Sequence, residues 1–249
     1  MELPNESDFE NYIEFFQMDG IFRATVNSIL RTVLGVFVMI LSSTVLGYAM
    51  TRPEYWHRKF WYRFLIATMY FSAGIIPGFL NIKRLGLMDN FLVYIIPSMV
   101  APYNMILIKT YIESIPQSLE EAAIMDGAGY FWRFTRVIIP LSKAIIATVA
   151  IFTAVTQWNS YMDTFMYMYG NENQTLQSML YMYINRADLL AKYMQQHNDA
   201  VVTEEMLNAV NPTAIRHTAT TVTLLPILMV YPFFQKYFTK GIMIGAVKG

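Results

Sequence analysis

Five stretches with almost no charge set the terms for this chain: 26–50, interrupted only by Arg31, then 64–82, 90–108, 144–162 and 218–235. Each comes near the roughly 20 residues that a helix needs to cross the hydrocarbon core of a bilayer. Composition points the same way, with 55% hydrophobic and 14% charged residues, where a soluble domain carries about 25% charge. Pro77, Pro97, Pro102, Pro226 and Pro232 lie inside these windows. Proline is common in membrane helices whose neighbours satisfy the freed backbone groups. The expectation is an all-α polytopic transmembrane helix bundle, not a set of isolated anchors.

Orientation is read from Lys and Arg in the connecting intervals. Those after the first, third and fifth windows hold Arg52, Arg58, Lys59, Arg63, then Lys109, Arg133, Arg136, Lys143, then Lys236, Lys240 and Lys248. The others hold only Arg23, Lys83, Arg84, Arg186, Lys192 and Arg216. The segment 109–143 and the tail 236–249 are therefore expected in the cytoplasm, and 1–25 and 163–217 outside. The first of these external segments is acidic, with Glu2, Glu6, Asp8, Glu10, Glu14 and Asp19. An outside N-terminus without an apolar leader before Val26 predicts either a tail translocated behind the first span or an upstream helix missing from this chain. The second is preferred.

Several chemistries lack their residues. With no cysteine, disulfides, thiolate nucleophiles and thiolate metal sites are excluded. His57, His197 and His217 have no metal-ligand spacing, no phosphate-binding Gly-x-x-x-x-Gly-Lys-Ser/Thr run occurs, and no nucleophile, base and oxyanion set is apparent. Net charge is zero, without a basic stripe suited to nucleic acid. No metal or cofactor of the chain's own is expected.

The longest polar interval, "SIPQSLEEAAIMDGAGYFWRFTRVIIP" from Ser114 to Pro140, lies between two apolar windows. Ser118 with Glu121 three residues later has the spacing of a capping box, in which each side chain satisfies the other's orphan backbone N–H. Glu120 and Glu121 suit the positive end of the helix dipole. Ala122, Ala123 and Met125 continue the helix, and Gly127 ends it, because glycine tolerates the left-handed conformation of a helix stop. A second helix, "YFWRFTRVII", runs to Pro140. The predicted unit is a helix, a glycine turn and a helix on the cytoplasmic face. It is either a surface connection or a rigid knob whose small residues admit another backbone.

The external interval 163–217 is about fifty residues, long for a connection in a compact protein, and long loops on rigid scaffolds commonly bind partners. "ADLLAKYMQQ" reads as a short helix there, and "HNDAVVTEEMLNAVNP" as a weaker one closed at Pro212. "EYWHRKFWYRF" at Glu54 to Phe64 mixes base and aromatic residues as interfacial segments do and reads as a topology anchor.

"EAAIMDGAGYFWRFTRVIIP" resembles the EAA loop of ATP-binding-cassette importer permeases: Glu121-Ala122-Ala123, three residues, Gly127, nine residues, then an aliphatic close at Val137 to Pro140. "NSILRTVLG" at Asn27, "QWNSYMDTF" at Gln157 and the tail from Tyr231 are similar to carbohydrate importer permeases related to the second maltose-transport permease. The tail looks like the branch for complex oligosaccharides, pectin-derived and alginate-type ones included. The resemblance covers Phe22 to Gly249 and implies a type I importer fold in the bacterial inner membrane, with five of the usual six spans visible and the first missing.

It also implies a heterodimer with a second permease, two copies of a cytoplasmic ATPase that bind the ATP and Mg, and an external solute-binding protein that delivers the oligosaccharide. The chain itself would catalyse nothing. Glu121, Ala122, Ala123, Asp126 and Gly127, closed by Pro140, would seat in a groove of one ATPase subunit. The external interval would contact the binding protein, and the C-terminus would lie against the ATPase dimer.

A sugar pathway needs polar and aromatic lining. Gln157, Trp158, Asn159, Tyr161 and Asp163 stand near the outer end of the fourth window, and polar residues at membrane depth are functional candidates by default. Trp158 and Tyr161 equally suit an interfacial belt, and Asn159 a bond to a neighbouring helix. Arg31 lies close enough to the outer end to snorkel, which is preferred over guiding an acidic sugar. The 18 methionines read as adaptable filler first and pathway lining second. The competing class is a secondary carrier or channel without an ATPase; it would need coupling-ion ligands at membrane depth, where only Asp163 and Asp89 are acidic.

Overall fold

The structure, a computed structural model, describes residues 19–170, 172–196 and 220–229 together with positions 13, 17 and 232, side chains at 186–188 and 190–196 excepted. Helix α1 spans Ile21–Thr51, α2 Arg58–Thr68 and α3 Ile75–Arg84. After a 3-10 turn at Phe91–Tyr94 come α4, Pro102–Glu113, and α5, Gln117–Met125. A short α6, Tyr130–Arg133, continues through a π turn, Phe134–Ile138, into α7, Ile139–Leu141. Then follow α8, Lys143–Asn159, α9, Met162–Tyr167, α10, Leu176–Gln196, and α11, Thr220–Met229. No strand occurs among the described residues.

Helix α1 is the axis of the fold, packing against α4 and α8, which also meet each other. Its 31 residues extend about 46 Å at 1.5 Å per residue, more than the core of a bilayer. Its polarity is inverted relative to a soluble helix. Ser28, Arg31, Gly35, Ser43, Thr44 and Gly47 are buried, while Phe22, Val33, Phe37 and Leu41 are exposed, Phe37 at 64%. Lipid explains this distribution, because hydrocarbon accepts apolar side chains on the outside and polar groups must find partners within the bundle. Small residues let helices approach: a Cβ on Gly47 would meet the α4 backbone, Lys109 N at 3.3 Å and Met105 O at 3.4 Å. Met39, Tyr48, Ile108, Ile112, Ile138 and Val149 then form a core shared by α1, α4, the π turn and α8.

Two apolar windows are not single helices. In 64–82, α2 stops at Thr68 and α3 starts only at Ile75, after Gly74 at φ 85°. In 90–108 the chain passes through turns around Pro97 and becomes helical at Pro102, a proline at a helix start where its missing N–H costs nothing. Among the described residues, α1 alone is long and apolar enough to cross a bilayer, and Tyr130–Leu141 with Lys143–Asn159 forms a second such stretch bent by 76°. The segment "ADLLAKYMQQ" is not a separate short helix; it is the second half of α10, which begins at Leu176. "HNDAVVTEEMLNAVNP", the tail 236–249 and most of 1–25 lie outside the described residues.

Candidate functional site

The polar interval between α4 and α8 folds as a knob. Its helix α5 starts two residues before the sequence predicts: Pro116 occupies the cap position, and no side chain caps the helix. Ser118 therefore lies inside the first turn, and the expected Ser118–Glu121 capping box is not formed. The fixed φ of Pro116 and Gln117 at the first helical position start the helix instead. The C-terminal end follows the sequence expectation. Gly127 has φ 78°, its N–H donates to Ile124 O at 2.9 Å, and Ala128 N–H donates to Ala123 O at 2.9 Å. These paired bonds are a Schellman turn, which satisfies the last carbonyls of the helix.

Beneath the knob lies a buried charge cluster. The Glu120 Oε1 accepts hydrogen bonds from Tyr48 OH at 2.9 Å and Arg133 Nη1 at 3.2 Å, and pairs with Arg52 Nη1 at 2.5 Å. Tyr48 and Thr51 form the last turn of α1, and Arg52 caps it. Arg52 stacks over the Tyr48 ring, 4.5 Å from its centroid, and Arg133 over Tyr130 at 4.2 Å. One carboxylate thus ties α5 to the end of α1 and to α6. Phe134 adds an apolar tie, its ring 5.2 Å from that of Tyr48. Helical phase decides which glutamate does this: Glu120 is buried and Glu121 faces solvent. Likewise Ala123 is buried, at 6% exposure, while Ala122, Asp126 and Gly127 are exposed.

A second polar cluster sits at the other end of the bundle, and it overturns the expected snorkelling of Arg31. Arg31 is 3% exposed. Its Nε donates to Gln157 Oε1 at 3.0 Å, and Nη1 to Ser160 O at 3.1 Å and Asp163 Oδ1 at 3.0 Å, while Nη2 pairs with Asp163 Oδ2. The guanidinium also lies over the Tyr94 ring at 4.5 Å. A planar, five-donor group engaged on all sides has no reason to stretch toward water. Gln157 passes the network on, donating from Nε2 to Ser98 Oγ at 2.9 Å. Gly35 makes room for this amide, since a Cβ there would stand 3.0 Å from Nε2. One turn earlier, Asn27 donates to Glu172 O at 2.9 Å and Gln174 O at 3.0 Å, and Ser28 Oγ accepts Leu176 N–H at 2.8 Å. The run "NSILR" on α1 therefore pins the segment that leads into α10.

Comparison with known proteins gives this arrangement a family. Residues 20–244 match the model of the binding-protein-dependent transport system inner membrane component. The chain belongs to that family. This inner-membrane component is 32% identical over 247 residues to the polygalacturonan/rhamnogalacturonan transport system permease protein YtcP of Bacillus subtilis (strain 168), covering 99% of the chain and 84% of that protein. Protein LplC of the same organism is 34% identical over 246 residues, 99% of the chain and 81% of the relative. A crystal structure of a bacterial ABC transporter that imports the acidic polysaccharide alginate superposes with a TM-score of 0.80 at 32% identity, over 95% of this chain and 81% of that one.

Within this permease, the residues singled out at and just beyond the C-terminal end of α8 have distinct environments. Trp158 is in the core with Ile21, Ala24, Leu176 and Leu180, its Nε1 donating to Thr223 O at 3.2 Å. Gln157 and Asp163 are held by Arg31. Tyr161 stacks on Tyr181 with centroids 4.8 Å apart, and Asn159 is exposed. Sequence reasoning missed Glu120, Arg52 and Tyr48 as a unit. A signal for Tyr48–Arg52 was present in their four-residue spacing, which places both on one face of a helix. Among the described residues, no group of three His, Asp or Glu is placed to hold a metal ion.

Proposed function

We propose that this chain is one of two permease subunits of an ATP-driven, binding-protein-dependent importer, that it forms half of the pathway for an oligosaccharide, and that it couples to a cytoplasmic ATPase dimer through α5 and the Gly127 turn. The chain performs no hydrolysis; its partners bind ATP and Mg. In this reading the five apolar windows cross the membrane, with the knob and the C-terminus in the cytoplasm and the segment 163–217 outside, where the binding protein docks.

The single observation that carries the proposal is the rigid tie between knob and span. A force on the exposed face of α5 reaches α1 through Glu120 and the arginines it pairs with, and reaches α8 through Ile138 in the shared core. Removing Glu120 would leave the Arg52 and Arg133 guanidinium groups facing each other without their shared carboxylate, and truncating the partner of a buried charge costs about 3–5 kcal/mol. The small exposed residues Ala122 and Gly127 give a smooth surface for a groove, and Glu121 and Asp126 add polar anchoring at its edge.

The substrate class is proposed from the relatives, whose names speak of polygalacturonan, rhamnogalacturonan and alginate. An acidic oligosaccharide that contains uronic acid units fits all three. Proteoliposomes holding the complete importer, supplied with ATP inside and the binding protein outside, should accumulate oligogalacturonate or oligoalginate in preference to maltotriose. Equal uptake of neutral and acidic sugars would remove the substrate proposal, and uptake independent of ATP would remove the importer reading.

A further inference from the structure

The corner that follows α1 bears a feature that neither the coupling knob nor the sugar pathway uses. Tyr55, His57, Arg58, Lys59, Phe60 and Arg63 border a concavity of about 580 Å³. Helix α2 begins there and sorts its residues cleanly. At 100° per residue, Arg58, Lys59 and Arg63 fall within an arc of roughly 140°, and Phe60, Trp61 and Phe64 occupy the opposite side. The aromatic side is open, with Phe60 at 60%, Trp61 at 36% and Phe64 at 50% exposure.

The basic side is unneutralised. Arg58 Nη1 donates to Thr51 O at 3.1 Å, and no carboxylate of the described residues lies within ion-pair distance of Arg58, Lys59 or Arg63. The helix start adds to the positive field, having no acid in its first turn and no side-chain cap. His57, which precedes it, holds a left-handed backbone at φ 49°. Arg52, six residues before the helix, has Glu120 as its counter-ion, whereas these three bases have no carboxylate partner among the described residues.

We propose that this corner binds the phosphate headgroup of an anionic phospholipid, with Lys59 and Arg63 on the phosphate and Phe60, Trp61 and Phe64 among the acyl chains. A helix start that carries bases on one side and aromatics on the other suits a membrane interface, and each Lys or Arg near an anionic leaflet strengthens attachment. A free phosphate would use the bases and leave the exposed rings without a role. The inference rests on membership in a membrane-protein family and is independent of the transported sugar.

The test is native mass spectrometry of the detergent-purified transporter assembly, titrated with phosphatidylglycerol and with phosphatidylethanolamine of the same acyl chains. Phosphatidylglycerol should bind preferentially, and Lys59→Ala combined with Arg63→Ala should weaken it about tenfold or more. Lys83→Ala with Arg84→Ala, at the far end of α3, should leave the preference unchanged. If the first double variant does not assemble, the single Lys59→Gln and Arg63→Gln variants carry the same test, each with about a threefold loss. Equal binding of the two lipids would overturn the proposal. So would unchanged preference in the 59/63 variants, displacement by soluble glycerol phosphate, or cross-linking of position 59 to an ATPase subunit.

Discussion

Arg31 shows how a single residue's role depends on a partner far along the chain. It stands one-third of the way into a helix whose outward face is apolar, and its charge is met by Asp163, Gln157 and the Ser160 carbonyl. Removing one member of a buried pair is costlier than removing both. Arg31→Leu should therefore destabilise the permease by about 3–5 kcal/mol, and Arg31→Leu with Asp163→Leu should recover most of the loss. Thermal unfolding of the purified transporter reads both. A double variant no more stable than Arg31→Leu alone would show that the pair is not the source of the cost. The same logic distinguishes the neighbouring glutamates: Glu120 is held by three donors, and Glu121 by none of the described residues.

At the scale of an element, the knob depends on how α5 ends. Gly127 has φ 78°, and a Cβ there would meet nothing within 4 Å, so in the isolated chain a larger residue suffers from backbone strain and not from collision. Leucine in that conformation costs about 1–2 kcal/mol, and asparagine less. A groove closing on the turn adds a steric penalty that both side chains feel, the larger one more. Gly127→Leu should thus uncouple ATP hydrolysis from uptake in proteoliposomes more severely than Glu121→Gln, with Gly127→Asn between them. Equal coupling in Gly127→Leu and Gly127→Asn would count against a groove that reads side-chain volume.

The same element marks the boundary of what the sequence makes legible. Its glycine stop is readable because φ > 0 is a local demand that few residues meet. Its start is not, because Pro116 and Ser118 both suit a helix N-terminus and the local sequence does not choose between them. The windows 64–82 and 90–108 are apolar throughout, and hydropathy alone does not reveal that backbone breaks at Gly74 and before Pro102 divide them. The partner that keeps Arg31 from snorkelling is not legible, because Asp163 lies in a distant segment and no local pattern connects the two.

At the scale of the whole molecule, α1 has three tasks along its length. Its N-terminal end pins the entry to α10 through Asn27 and Ser28. Its middle packs on α4 and α8 through Gly35, Met39 and Gly47. Its C-terminal end grips the knob through Tyr48 and Arg52. One helix thus connects the knob to the polar cluster at the opposite end of the bundle, and the proposed coupling would use that connection.

In the proposed importer, α5 presents its exposed face to an ATPase subunit. The absence of cysteine from the chain permits a direct test with Ala122→Cys and Ala123→Cys in the assembled importer, using a short thiol-to-amine cross-linker. Because Ala122 is exposed and Ala123 buried, position 122 should link to the ATPase subunit and block uptake, and position 123 should do neither. No link from position 122, or equal linking from both, would contradict the account.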